Sequence, residues 1–389
     1  MVRSNRPLET AVPFWADRHL NPALAGDYAR ALRASGVVDY FQSWDQLTSW
    51  WPRALWTTDN TPLAALLGDC DSFQDAFISA AFAAAAEPTL GLTISTDAIR
   101  TGPAELMQRV LTLSDAVEGR AVLQLGAGEV KQAGPFGYRR AEGLDRLEDH
   151  LQIIRKLLDT DGLVDHRGHH WNYRHAWIGG AKRLPPRIFA MGGGPRLMKL
   201  AAQYADGFVS MVPFAFPDAD AYAEQADAMR RELELRDRDP DAFTFGLWHG
   251  LLVSDDEAEL QRLTENPLLR WIAATFGRFD QSKWRDEGIQ PPLPDGWHYA
   301  LKLRPAELGS AEVRDIVDRT TPEMVRKSFF CGTPAQVVAE IQKFVDVGVS
   351  FHSLVDMAPA LRPPESAEAN LGYLLECARL LKAAEHGPG

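Results

Sequence analysis

The stretch Arg187-Ile188-Phe189-Ala190-Met191-Gly192-Gly193-Gly194-Pro195-Arg196 holds the pattern that decides the fold: a short apolar strand, a run of glycines, and a proline where a helix can begin. Proline in the first helical turn loses no hydrogen bond, so a helix over 195–204 follows naturally. A second apolar run, 207–212, comes directly after it. The same unit recurs along the chain. Short apolar or β-branched runs at 10–14, 37–41, 90–95, 121–125, 187–191, 207–212, 243–253 and 350–357 read as eight strands. Helical periodicity at 22–34, 72–86, 103–117, 141–159, 195–204, 218–235, 334–347 and 366–382 fills the intervals. Pro22, Pro103, Pro195 and Pro334 mark helix starts, and Ser72 or Asp71 is the expected cap of the second helix.

Strands alternating with helices imply parallel pairing through right-handed crossovers. Eight such units suit an α/β fold of the (β/α)8 TIM-barrel type, with a doubly wound sheet as the alternative. The whole chain, 1–389, then reads as a single barrel domain with two long insertions, 42–71 and 254–333. Both follow strand C-terminal ends, the barrel face where active sites are assembled. They carry Trp44, Trp50, Trp51, Trp56, Trp271, Trp284 and Trp297. Each tryptophan alone reads as loop packing; together they read as the walls of an apolar pocket.

Composition narrows the function. With 46% hydrophobic and 24% charged residues, the 389-residue chain can bury a large core. Lys plus Arg is 41 against Asp plus Glu at 53, and a formal charge of −12 repels a phosphate backbone, so nucleic acid is not an expected partner. Cys70, Cys331 and Cys377 are widely spaced and form no CxxC pair, which suits a reducing cytoplasm. Residues 1–9 lack an apolar signal core, and no run of about 18 uncharged apolar residues follows, so no transmembrane segment is expected.

Three segments carry candidate chemistry. The glycines 192–194 before a helix start can hold a phosphate on exposed amides, or simply form a tight turn. Leu125-Gly126-Ala127-Gly128-Glu129 delivers a carboxyl to the barrel mouth. An acid enclosed there can donate a proton, or can be tied up by Lys131 or Arg139. Asp39-Tyr40-Phe41-Gln42-Ser43-Trp44 ends the second strand with a carboxylate, a phenol and an indole, unless Asp39 caps a loop and the aromatics are core. His166, His169, His170 and His175 cluster, but 163–173 alternates around Arg167-Gly168 as a surface hairpin does, and no metal is assigned.

This arrangement resembles the luciferase-like monooxygenase superfamily, and within it the branch of oxidoreductases that uses coenzyme F420. The segment 39–44 is similar to the Asp-His-Phe-Gln-Pro-Trp segment of deazaflavin-dependent glucose-6-phosphate dehydrogenases. Gly91-Leu92-Thr93-Ile94, Gly126-Ala127-Gly128-Glu129, Gly193-Gly194-Pro195 with Ala205-Asp206-Gly207-Phe208, and Cys331-Gly332-Thr333-Pro334 follow in the family's order. Trp44-Asp45-Gln46-Leu47 with Trp50-Trp51-Pro52 resembles the mycobacterial phthiodiolone ketoreductases.

The resemblance implies a non-proline cis peptide at Thr93-Ile94 behind the deazaflavin, a phosphate held by Gly192, Gly193 and Gly194, and polar edges bonded by Thr96 and Asp39. It implies hydride transfer to a small-molecule or lipid carbonyl, for which Glu129 is the first choice of acid, with Tyr40 as a second donor and Trp44 shaping the pocket. Tyr40 stands where the sugar-phosphate enzymes have histidine. Its unperturbed pKa of about 10 disfavours base-assisted oxidation and favours reduction. An FMN-dependent monooxygenase and a non-catalytic flavin- or lipid-binding barrel are the alternatives. The apolar stripe of Leu144, Leu147, Leu151, Ile154 and Leu158 could bury against the barrel or in a homo-oligomer.

Overall fold

The computed structural model describes residues 6–385; the first five residues of the 1–9 segment lie outside that range. Eight parallel strands close a barrel: β1 (Glu9–Pro13), β2 (Tyr40–Trp44), β3 (Gly91–Asp97), β4 (Ala121–Gly126), β5 (Arg187–Met191), β6 (Gly207–Val212), β7 (Thr244–Val253) and β8 (Phe351–Asp356). Each strand pairs with its successor, and β8 returns to β1 with Glu9 opposite Phe351. The open doubly wound sheet is thereby excluded. A short strand, Phe330–Gly332, extends the sheet beside the end of β7.

Strand periodicity sorts the core into two layers. On β4, Ala121, Leu123 and Leu125 point outward under the helices, while Val122 points inward. The outer layer is covered by helices α1 (Leu24–Ala34), α2 (Ala76–Ala86), α3 (Pro103–Ala116), α4 (Gly143–Asp159), α5 (Pro195–Tyr204), α6 (Ala219–Glu234), α7 (Pro334–Asp346) and α8 (Ala367–Glu385). Leu147, Leu151, Ile154 and Leu158 of α4 bury against the barrel.

Pro103, Pro195 and Pro334 open their helices as expected, but Pro22 precedes α1 by two residues. The cap of α2 is Asp75, whose carboxylate accepts from the amides of Phe77 and Ile78. Ser72 and Asp71 instead tie the first insertion down. The Ser72 hydroxyl donates to Asp17 at 2.7 Å, and Asp71 accepts the Ser49 amide at 2.7 Å.

The insertions are not independent loops. The second is largely helical, with Glu257–Glu265, Pro267–Phe276, Ser310–Arg319 and Pro322–Ser328. It grips the first through indole donors: Trp51 Nε1 to the Leu268 carbonyl at 3.2 Å and Trp271 Nε1 to the Trp50 carbonyl at 2.8 Å. Trp51, Trp56, Trp271 and Trp284 are buried in this joint cap over the barrel mouth. The histidine-rich segment is the antiparallel hairpin Val164–Arg167 and Asn172–Ala176. Among the described residues no helix is long and apolar enough to cross a membrane.

Candidate active site

Beneath the joint cap, at the C-terminal ends of β2 to β7, lies a cavity of about 550 Å³. Its lining draws on strand ends (Asp45, Thr96, Glu129, Ser210, Trp248) and on both insertions (Trp50, Tyr299). Such a volume lies within the usual range for small-molecule sites.

Two buried ionic groups hold the mouth in shape. Arg100 donates Nε to Asp97 at 2.5 Å and Nη2 to the Asp45 carboxylate at 2.9 Å, while the Thr96 hydroxyl donates to Asp45 at 2.5 Å. Burial raises the Asp45 pKa, and the adjacent Arg100 works against that rise. Lys131 Nζ donates to Gln46 Oε1 at 2.6 Å and to the Thr48 carbonyl at 2.8 Å, and pairs with Glu129 Oε2 at 3.2 Å. The Lys131 side chain is 1% exposed and that of Glu129 22%, so the lysine forms the back of the wall and the carboxyl its face. Burial lowers the Lys131 pKa against the opposing pull of Glu129. Arg139 pairs instead with Glu142 at 3.1 Å. The sequence-level alternatives for Glu129 therefore coexist: it faces the cavity and is paired with Lys131.

Backbone conformation explains how the strand ends deliver these groups. Gly128 has φ +81°, and a Cβ there would meet Ile99 Cδ1 at 2.7 Å. Only glycine turns the chain so that Glu129 follows immediately. Gly192, at φ +150°, redirects the chain from β5 into α5 in the same way. Its amide is spent on the Val209 carbonyl at 3.0 Å, whereas the amides of Gly193 and Gly194 have no acceptor among the described residues. A Cβ at Gly193 would meet only Ser210 Oγ at 3.9 Å, and that buried hydroxyl has no partner of its own. Orphaned amides, an orphaned hydroxyl and the start of α5 make a cradle with the donor chemistry of a phosphate site. The residues present fit the phosphate of a deazaflavin or flavin cofactor.

Of the expected site residues, Glu129, Thr96, Gly192, Gly193 and Gly194 share this cavity. Others do not reach it. Tyr40 begins β2 at the opposite end of the barrel, where its hydroxyl donates to Glu9 at 2.8 Å and accepts from Arg187 at 2.6 Å. Asp39 accepts the Thr10 amide at 2.7 Å and pairs with Lys382 at 2.8 Å, at that same end. Neither can touch a ligand at the mouth. Trp44 stands behind the wall, stacked on Trp248 at 5.7 Å and edge-on to Trp50 at 5.7 Å. Thr93 points into the barrel below the mouth, in register with Gln42, and Ile94 points outward among the helices. The Thr93-Ile94 bond is not cis; among the described residues the cis peptide is Val212-Pro213.

These corrections share one cause, the position of β2. The strand runs Tyr40–Trp44, so Asp45 and the insertion beyond it occupy the mouth. The Asp-x-x-x-x-Trp spacing read at Asp39 and Trp44 recurs at Asp45 and Trp50, and it is this second copy that lines the cavity. Sequence reasoning also missed Arg100, Arg140, Trp248, His298 and Tyr299. The spacing of the second copy was a usable signal for Asp45; nothing local marked Arg140, His298 or Tyr299.

The family model for luciferase-like monooxygenases matches residues 54–350. A phthiodiolone/phenolphthiodiolone dimycocerosates ketoreductase of Mycobacterium tuberculosis (strain H37Rv) is 23% identical over 356 residues, covering 87% of this chain and 91% of that protein. Among solved structures, an F420-dependent secondary alcohol dehydrogenase in complex with an F420-acetone adduct superposes with a TM-score of 0.70 at 16% identity, covering 97% of this chain and 99% of that one. A riboflavin lyase with modified FMN superposes with a TM-score of 0.67 at 15% identity, covering 96% and 92%. At these identities the structural likenesses speak for the fold alone. With three quarters of its length matched by the family model and a closed (β/α)8 barrel, the chain belongs to the luciferase-like monooxygenase family.

Proposed function

We propose that this protein is a coenzyme F420-dependent oxidoreductase that reduces a ketone to a secondary alcohol. The observation that carries the reading is one cavity holding, on different strand ends, an amide-and-hydroxyl cradle suited to a cofactor phosphate and a carboxyl backed by a buried ammonium. When bound, the reduced deazaflavin supplies a hydride. The protein's task is to place the carbonyl and deliver a proton to its oxygen.

Glu129 faces the cavity and passes to the carbonyl oxygen a proton that the Lys131 ammonium, 3.2 Å behind it, gives to its carboxylate, leaving Glu129 ionised and Lys131 neutral. Burial makes that ammonium a better acid than a surface lysine. Gln46 and the Thr48 carbonyl hold Nζ in place throughout. Trp50 and Trp248 exclude water and press the reactants into register, with Trp44 supporting Trp248 from behind. Gly193, Gly194 and Ser210 anchor the cofactor phosphate. Thr96 stays engaged with Asp45 and shapes the polar rim.

The mycobacterial relatives suggest a lipid ketone. A cavity of about 550 Å³ shared with a deazaflavin would admit only the keto segment of such a chain. The cradle suits a flavin phosphate as well as a deazaflavin one, and the family model is that of monooxygenases, which keeps a flavin-dependent monooxygenase as the second reading.

The test is a parallel titration with oxidised F420 and FMN, read by quenching of the tryptophans at the cavity, followed by turnover of the reduced form with ketones. Tight F420 binding with oxidation of reduced F420 by a ketone supports the proposal. Preference for FMN with oxygen uptake would replace it, and cofactor binding without turnover on any ketone would favour a binding protein.

A further inference from the structure

The cations at the cavity are matched, with one exception. Arg100 is shared by Asp45 and Asp97, Lys131 is paired with Glu129, and Arg196 is held by Asp145 at 2.6 Å and Glu148 at 2.8 Å. Arg140 lines the same cavity, yet no carboxylate among the described residues lies within ion-pairing distance of it. Its Nε is buried without a hydrogen-bond partner. A guanidinium stays charged in proteins, and a buried unmatched one is costly. Burial already pulls its pKa down, opposed in order of size by Tyr299, Glu129 and Asp97. Arg140 is therefore a cavity cation with no ion-pair partner of its own among the described residues, although carboxylates including Asp280 line the same cavity.

Two further donors surround that position, both from the second insertion. The Tyr299 ring is clamped between Phe276 at 4.2 Å and Phe279 at 4.7 Å, and burial keeps its phenol protonated. The neighbouring His298 accepts the Ala300 amide on Nδ1 at 3.2 Å, which assigns the proton of the neutral ring to Nε2. Burial and then the charge of Arg140 lower its pKa, against the opposing pull of Asp280, which also lines the cavity. All three side chains can donate a hydrogen, and none is hydrogen-bonded to another of the three. The cofactor cradle lies on a different element, the β5 to α5 turn, and has donors of its own.

We propose that Arg140, with Tyr299 and His298 Nε2, forms a carboxylate-binding subsite, so that the substrate is an oxo acid rather than a neutral ketone. This rests on the carbonyl-reductase reading and sharpens it. Arg140 and Glu129 then divide the substrate between them, the first taking the carboxylate and the second the carbonyl oxygen. The subsite depends on the 254–333 insertion, which makes that insertion the determinant of specificity.

The experiment uses the full chain without cofactor. Tryptophan fluorescence is titrated with 4-oxopentanoate and with 2-pentanone, a charged and a neutral methyl ketone of equal length. Wild type, Arg140→Met, Arg140→Lys and Tyr299→Phe are compared, and each is also titrated with F420 and with FMN. Wild type should bind the oxo acid about tenfold or more tightly than the neutral ketone, the weight of a charge-assisted pair. Arg140→Met should abolish that preference, with Arg140→Lys restoring part of it and Tyr299→Phe losing part. Cofactor affinity should stay unchanged.

Equal binding of the two probes by wild type, or binding of neither, overturns the proposal. So does an Arg140→Met variant that keeps the preference but loses cofactor affinity, which would give Arg140 to the cofactor. A wild type that prefers the oxo acid but binds no F420 would leave the subsite standing and remove the reductase reading.

Discussion

The two ends of the barrel use the same kinds of residue to opposite purposes. At the N-terminal floor, Glu9, Tyr40 and Arg187 satisfy one another: both Nη nitrogens of the guanidinium reach the Glu9 carboxylate at 2.8 Å, and the phenol bridges the pair. At the C-terminal mouth, Ser210 Oγ, Arg140 Nε and the Gly193 and Gly194 amides are held in place without partners. Buried polar groups left unmatched cost free energy, and where several converge on one cavity a ligand can match them. A closed network is a device for stability; an open one is a device for a ligand.

The contrast can be broken most forcefully at Glu129. Glu129→Gln should lower turnover by about 10²- to 10⁴-fold, as removal of a general acid does, and leave F420 affinity nearly intact. Unchanged single-turnover rates would take it out of the proton-donor role. Next in size is Gly193→Phe, which puts a ring at the cradle from a position where a Cβ meets only Ser210 Oγ, at 3.9 Å. Cofactor binding should weaken roughly 100-fold, about 2.7 kcal/mol, with the unfolding midpoint unmoved; wild-type affinity would dispose of the cradle.

Titration should distinguish the wall from the mouth. His249 and His352 are buried on β7 and β8 in a 3.0 Å contact, and burial pushes His352 down to about 3. Free histidine titrates near 6.5, so below that pH the unfolded chain takes up protons that the folded one refuses. Stability is then lost as pH falls from about 6.5 towards 3, by at most ~1.4 kcal/mol per unit for each group. Asp356, pushed up to about 7 by burial, acts in the opposite sense, its contribution being present at low pH and lost as pH rises towards 7. His352→Asn should flatten the acid side of the Tm-against-pH curve and leave turnover at neutral pH untouched. An unchanged acid limb would mean that other groups set it.

The smallest effect belongs to the floor. Tyr40→Phe removes one hydroxyl from a matched network and should cost about 1–2 kcal/mol in urea unfolding, with full turnover retained. A fall in kcat there would return Tyr40 to the catalytic machinery.

How much of this was legible differs between elements. The eight strands were recognisable because apolar periodicity is a local property, and proline marked three helix starts because its ring suits the first turn. Glu129 was legible because the small residues before it end a strand at the barrel's functional face. Asp39 and Tyr40 were misplaced by a short distance along the chain, yet that distance is the length of a strand and carries a residue from the mouth to the floor. Arg100, Arg140, His298 and Tyr299 sit in turns or at the starts of single-turn helices, too short for a period to announce a direction.

What the sequence determined by itself is the alternation of strand and helix, hence the barrel, and the glycine-rich turns at its functional end. Those follow from steric and hydrogen-bonding preferences of residues close in the chain. Only the tertiary structure decided which copy of the Asp-x-x-x-x-Trp spacing faces the cavity, that the two insertions close over it as one cap, and that Arg140 remains unmatched beside Tyr299. Each depends on where strands stop against their neighbours and on contacts between segments some two hundred residues apart, which no local pattern encodes.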